Sequence, residues 1–159
     1  MTISGESFAE YNFSDSQIKN MQKAYQYGKS NHKKPFKGDH NIGYIMAAII
    51  WQESSCGTNI KNGNAVGAFQ NYVPTVQSRL NQQGIKKSHS QISKELTSFD
   101  RSAHWANVEL EYWLTQHRGN MHRALASYNA GNTKGGGRYA SSIMQKANYL
   151  KTNNVLKVR

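Results

Sequence analysis

Apolar residues along this chain recur mostly at three- and four-residue intervals, which predicts helices joined by polar, glycine-punctuated loops. Ile18, Met21 and Tyr25 form the first stripe, behind Ser14-Asp15 as a cap, with an expected end near Gly28. A basic loop from Lys29 to Gly38, broken by Pro35, should follow. Ile42, Ile45, Met46 and Ile49 make the next stripe, opened by Asp39 or Asn41. At roughly 100° per residue, Glu53 falls on the same face as Met46 and Ile49.

Ser54 to Asn64 is loop chemistry throughout, and Ala65 to Gln70 suits a short strand or hairpin arm. Thr75 to Gln83 reads as a brief helix ended by Gly84. Ile85 to Thr97 is polar and poorly patterned, so a loop with at most one helical turn is expected. Ser98 or Asp100 starts a long helix through His117, with Ala103, Val108, Leu110, Trp113 and Leu114 as its apolar face and Gly119 as its stop. Asn120 opens a helix that carries Leu125 and Tyr128 and closes at Gly131, where a left-handed conformation is expected. Three consecutive glycines lie in the loop from Asn132 to Gly137. They lack the Lys-Ser or Lys-Thr of a phosphate-binding loop, since Arg138-Tyr139 follows. The last helix should run from Arg138 to about Leu150, with Tyr139 and Ile143 on one side and a frayed basic tail beyond. No internal repeat appears.

Glu53 is an odd residue to find on a core-facing stripe. Charges are seldom buried without a partner, so such a carboxylate is a salt-bridge member or a group whose pKa is raised for use as a general acid. A bland reading ends the helix near Gln52 and leaves Glu53 solvated, and periodicity alone does not choose between the two.

Four blocks in order bear on the choice. Glu53-Ser54 is followed by Gly67-Ala68-Phe69-Gln70, then Ala126-Ser127-Tyr128-Asn129-Ala130-Gly131, then Tyr139-Ala140-Ser141-Ser142-Ile143. This ordered set resembles the lytic transglycosylases of the soluble-lytic-transglycosylase type. That family reads Glu-Ser, Gly-Leu-Met-Gln, Ala-x-Tyr-Asn-Ala-Gly, and a tyrosine four residues before an aliphatic one. The second block departs here, with alanine and phenylalanine in place of leucine and methionine, which alters the bulk behind the loop more than the chemistry. The resemblance runs from about His40 to Leu150.

The resemblance implies a mainly α (α+β), lysozyme-like fold with a small loop or hairpin element and a sugar-binding groove. The chain is expected to divide into three segments: an N-terminal part with one helix over 1–39, packed on or docking from the domain, the resembling transglycosylase domain over 40–150, and the basic tail over 151–159. The resemblance implies Glu53 as the single acid-base catalyst. Glu53 would protonate the oxygen linking muramic acid to N-acetylglucosamine and then activate the sugar's own primary hydroxyl, giving an anhydro product without water. Tyr128 is expected to hydrogen-bond Glu53, and Asn129 to orient a sugar or its acetamido group. Ser54 would bond near the acid or the substrate, Gln70 would contact the glycan, and Tyr139 would line the site, although its spacing from Ile143 is also that of ordinary helix packing.

At 159 residues the chain suits one domain, and only 37% of it is hydrophobic. Twenty Lys and Arg against nine Asp and Glu give a net charge of +11, which favours polyanionic partners. No zinc-finger spacing, RNP-like strand or basic heptad supports nucleic acid, and anionic envelope polymers suit the charge as well. The lone cysteine, Cys56, excludes a disulfide framework and reads as a packing residue. Scattered histidines offer no paired zinc motif, so neither metal nor cofactor is expected.

The remaining acids, Asp39, Glu95, Asp100, Glu109 and Glu111, fall on caps, in a polar loop or on a charged helix face, where a solvated role is the expectation. Trp51, Trp105 and Trp113 invite a sugar-stacking role, yet apolar neighbours make core packing the default. No apolar run reaches membrane-spanning length, and the start from Met1 to Glu10 lacks the regions of a signal peptide. The expectation is therefore a wall-acting enzyme that reaches peptidoglycan in a phage particle, by release at lysis, or as a processed form of a longer protein. Size, charge and the unmatched first forty residues favour a phage, with those residues as a candidate docking segment for other virion proteins. Two rival readings remain: a hydrolytic goose-type-like muramidase, and a glycan-binding virion component without turnover.

Overall fold

A computed structural model describes residues 10–32 and 40–158. Seven helices and one hairpin follow in chain order: α1 (Asp15–Asn31), α2 (Ile42–Ser54), β1 (Ala65–Val66), β2 (Asn71–Tyr72), α3 (Val73–Gln82), α4 (His89–Leu96), α5 (Phe99–Gln116), α6 (Met121–Ala130) and α7 (Gly137–Thr152). The two strands pair antiparallel, with Ala65 opposite Tyr72 and Val66 opposite Asn71. The architecture is thus mainly α, with a small hairpin, consistent with a lysozyme-like fold.

The apolar residues sort into two clusters, and the division sets up the groove. The larger one gathers α1, α2, one face of α5, α6 and α7 around Met46, Ile49, Ile50, Leu110, Leu114, Leu125 and Ile143. The smaller one joins the hairpin to α3, α4 and the start of α5 through Val66, Val73, Val76, Leu80, Ile92, Leu96 and Trp105. Helix α5 contributes to both.

Helix α2 is buried nearly all round rather than along one stripe, from Ile42 through Ile50 except Tyr44, as expected of a central helix. Its contact with α1 is close because both helices carry a glycine there. A Cβ on Gly43 would sit 2.6 Å from the Tyr25 ring, and one on Gly28 would sit 2.9 Å from the Ile42 carbonyl oxygen. Met21, Ala24 and Tyr25 of α1 belong to the same core as α2. The helical part of the N-terminal segment is therefore built into the body of the protein.

Several boundaries differ from the sequence expectations. Helix α1 passes Gly28 and reaches Asn31, secured at its start by a capping box between Ser14 and Gln17. Asn41 is the N-cap of α2, but its side-chain oxygen accepts from Lys151 Nζ at 3.1 Å instead of from the helix. The alternative cap Asp39 and the loop at 33–38 lie outside the described residues. Helix α3 starts at Val73, with proline in its first turn, where a missing N–H costs nothing.

The segment read as a loop contains α4, opened by a second capping box of Ser88 and Gln91. Only Ile92 and Leu96 are buried in it, too few to produce a visible period. Gly131 has φ 67° and ψ −139°, so its φ is positive but it is not in the left-handed helical region. The tail is not frayed: α7 continues to Thr152, Leu156 is fully buried, and Gln22 Nε2 donates to its carbonyl at 2.9 Å. No described helix is long and apolar enough to cross a membrane.

Candidate active site

A cavity of about 640 Å³ opens between the two clusters. Gln70, Asn71, Tyr72 and the α3 residues Pro74, Thr75, Ser78 and Arg79 border it on the side of the smaller cluster. Glu53 and the end of α6, from Ser127 to Asn129, border it on the side of the larger one. Trp105, Glu109 and Trp113 line it from α5. The size suits a ligand of a few rings, and its lining mixes aromatic faces with convergent polar groups.

Glu53 is the penultimate residue of α2, and Ser55 ends the helix in a left-handed conformation with φ 47°. The carboxyl is half-buried, and the phenol that reaches it is that of Tyr139 on α7, donating to Oε2 at 2.8 Å. None of the ion pairs found among the described residues includes Glu53. Burial pushes its pKa up, and the Tyr139 hydrogen bond partly opposes that shift. A carboxyl desolvated in this way, without a cation, holds its proton to higher pH than an ordinary glutamate.

The sequence reading assigned that hydrogen bond to Tyr128. The structure instead stacks Tyr128 on Tyr139, with ring centroids 6.2 Å apart and planes 15° from parallel. Burial, followed by the charges of Glu53 and Glu109, pushes the Tyr128 phenol well up. Burial and the neighbouring Tyr128 and Glu53 do the same for Tyr139. Both phenols therefore remain protonated, and Tyr139 can only donate to the Glu53 carboxylate.

Ser54 also differs from its expected role at the substrate. It is buried, and its hydroxyl donates to the Ala68 carbonyl while accepting from the Gly57 N–H at 2.9 Å. Ser54 thereby ties the end of α2 to the Gly67–Gln70 turn. Gln70 lines the cavity with φ 50°, its Nε2 donating to the Gly67 carbonyl at 2.9 Å. Asn129 lines it as well and is exposed.

Buried polar residues that the sequence did not single out hold this turn in place. Ser102 on α5 accepts from the Phe69 N–H at 3.0 Å and donates to Asn71 Oδ1, while Asn71 Nδ2 donates to the Ser102 carbonyl at 3.1 Å. Gly67 has φ +85°, and a Cβ there would lie 2.1 Å from the Leu96 carbonyl oxygen. Only glycine allows the turn to approach α4 so closely. Cys56, fully buried with its pKa pushed up to about 12, is a packing residue.

Glu109 and Glu111, both expected on a solvated face, depart from expectation: Glu111 is buried against His32, and Glu109 matters for the site. Instead of a solvated face it occupies the cavity, held by Arg79 and by the Trp113 indole N–H. Its signal was present in the sequence: Trp105, Glu109 and Trp113 recur every four residues and so share one face of α5.

The Transglycosylase SLT domain family matches residues 40–151. The chain is also 44% identical, over 160 residues, to an uncharacterized 20.7 kDa protein in the vs-regB intergenic region of Enterobacteria phage T4, an alignment covering 94% of this chain and 88% of that protein. No solved structure matches it significantly. Since the matched segment takes in all four motif blocks and most of the chain, the protein belongs to the Transglycosylase SLT domain family.

Proposed function

We propose that this protein is a peptidoglycan lytic transglycosylase in which Glu53 serves first as acid and then as base. Family membership supports the reaction class and the glycan substrate. The observation that carries the assignment of Glu53 is its setting: a half-buried carboxyl facing the cavity, with a raised pKa and a phenol as its donor. A group that must give and then recover one proton works best with a pKa near the working pH.

Because Tyr139 donates to Oε2, the transferable proton is carried on Oε1. From there it passes to the oxygen between muramic acid and N-acetylglucosamine as the glycosidic bond breaks. The substrate's acetamido group supports the anomeric carbon. The carboxylate left on Glu53 then takes the proton of the sugar's primary hydroxyl, whose oxygen closes the anhydro ring. That Gln70 and Asn129 line the cavity supports a role for both in holding the glycan, and the stacked Tyr128 supports the orientation of Tyr139.

Likeness to a phage T4 protein over most of both chains supports a phage setting, with wall degradation at the start of infection or at host lysis. Mass spectrometry of purified sacculi digested by the protein tests the chemistry. Anhydro muropeptides are expected. Hydrated, reducing products would replace this reading with a goose-type-like hydrolase, and the absence of products with a binding component. Detection of the chain in purified virions would favour action at the start of infection; its presence only in lysates would favour action at lysis.

A further inference from the structure

Glu109 lines the same cavity as Glu53, yet the proposed mechanism makes no use of it. Arg79 of α3 grips it with two parallel donors, Nε to Oε1 at 2.9 Å and Nη2 to Oε2 at 3.1 Å. The Trp113 indole N–H adds a third bond to Oε2 at 2.9 Å. Arg79 is itself fixed, with its guanidinium 3.7 Å above the centre of the Tyr112 ring and Nη1 reaching Gln82 at 3.4 Å. Both members of the pair are largely buried, with 14% and 15% of their side chains exposed. A two-pronged pairing of this kind is among the stronger polar contacts available to a protein, and it holds the carboxylate in one orientation.

The consequence concerns water. Most glycosidases that hydrolyse their substrate use a second carboxylate in the groove to activate water or to attack the sugar. Among the residues lining this cavity, Glu109 is the carboxylate available for that role, and Arg79 and Trp113 direct its lone pairs elsewhere. We infer that Arg79 is a positioning residue that withholds Glu109 from the reaction, so that the cleaved sugar is closed by its own hydroxyl instead of by water. The inference rests on the transglycosylase reading and adds what enforces it.

Releasing Glu109 would open a hydrolytic route with a simple balance. Glu109 takes a proton from water, the water oxygen bonds to the anomeric carbon, and the glycosidic bond breaks as Glu53 gives its proton to the leaving oxygen. The proton held by Glu109 then passes through solvent to the Glu53 carboxylate, which restores both groups. The product carries a reducing end in place of the anhydro ring.

The test is the ratio of hydrated to anhydro muropeptides from purified sacculi, measured for the wild type, Arg79→Met, Arg79→Lys and the double variant Arg79→Met/Glu109→Gln. The wild type should give anhydro products. In Arg79→Met the ratio should rise by roughly tenfold or more, the scale of a newly freed general base. Adding Glu109→Gln should return it to the wild-type value. Arg79→Lys, which keeps the charge but loses the fork, should lie between the two and carries the test if Arg79→Met fails to fold.

Anhydro products alone from an active Arg79→Met or Arg79→Lys would overturn the inference and leave the transglycosylase reading intact. Hydrated products that persist in the double variant would overturn it too. So would a folded Arg79→Met that is inactive and unrescued by lysine, because that would place Arg79 on the substrate. Hydrated products from the wild type would instead remove the transglycosylase reading itself.

Discussion

Glu53 and Glu109 line one cavity from different helices, and the same side chain has opposite properties in the two places. At the end of α2 the carboxyl has a phenol for a partner and, among the described residues, no ion pair, and desolvation raises its pKa. On α5 it has a guanidinium fork and an indole N–H. A neutral donor leaves a buried carboxyl free to be the protonated form, whereas the guanidinium fork and the indole N–H occupy the lone pairs of Glu109 and hold it in one orientation. The comparison teaches that a groove with two carboxylates need not be a two-carboxylate enzyme. Partners, more than positions, decide which group is free to act.

The contrast is broken most sharply by amidation at each site. Glu53→Gln should lower the rate of sacculus lysis by about a thousandfold or more, whereas Glu109→Gln should lower it by about tenfold or less. Turbidity decay of purified sacculi reads both, and equal losses would erase the distinction.

The next effects concern the scaffold between the two sites. Gly67→Ala should cost about 3 kcal/mol, because the new Cβ meets the Leu96 carbonyl at a positive φ. Ser102→Ala should cost about 2 kcal/mol, because it leaves the buried Phe69 N–H and Asn71 Oδ1 without their partner. Urea unfolding measures both.

Tyr139→Phe sharpens the account at the acid itself. Its loss of activity should be about tenfold, a single hydrogen bond's worth. The Tyr139 bond lowers the Glu53 pKa, so its removal raises that pKa and moves the alkaline limb of the rate profile to higher pH. A limb that moved the other way would contradict the assignment of the donor.

The smallest effect is on stability. Glu53 binds its proton more tightly folded than unfolded, so it carries no penalty below the ordinary glutamate range and a full one above its raised pKa. Glu53→Gln should therefore melt at a higher temperature than the wild type at neutral pH. The gap should close as pH falls towards about 4.

Much of this was legible in the sequence. Ser14, Ser98 and Asn120 announced three helix starts through their capping chemistry, and the motif blocks brought Glu53, Gln70, Tyr128 and Asn129 to one cavity. What the pattern could not supply was direction. Tyr128 and Tyr139 are both tyrosines in matched blocks, and only the packing of α7 on α2 decides which hydroxyl reaches the acid. Ser54 follows the acid in sequence, but the inward turn of its hydroxyl depends on the Ala68 carbonyl, fourteen residues away. Helix α4 and the packed tail escaped because two buried side chains in one and a single Leu156 in the other make no period. The Arg79–Glu109 pair spans thirty residues, beyond any local rule, although the Trp105–Glu109–Trp113 face was there to be read.

The central claim is that Glu53 carries the catalytic proton. It is tested most directly by following the Glu53 carboxyl carbon by nuclear magnetic resonance as pH is varied, with Glu53→Gln to assign the signal, alongside the pH dependence of lysis. The account predicts a midpoint above the ordinary glutamate value of 4.5 that coincides with the alkaline limb of wild-type activity. A Glu53 that titrates at or below that value, with lysis continuing unchanged through its ionisation, would contradict it.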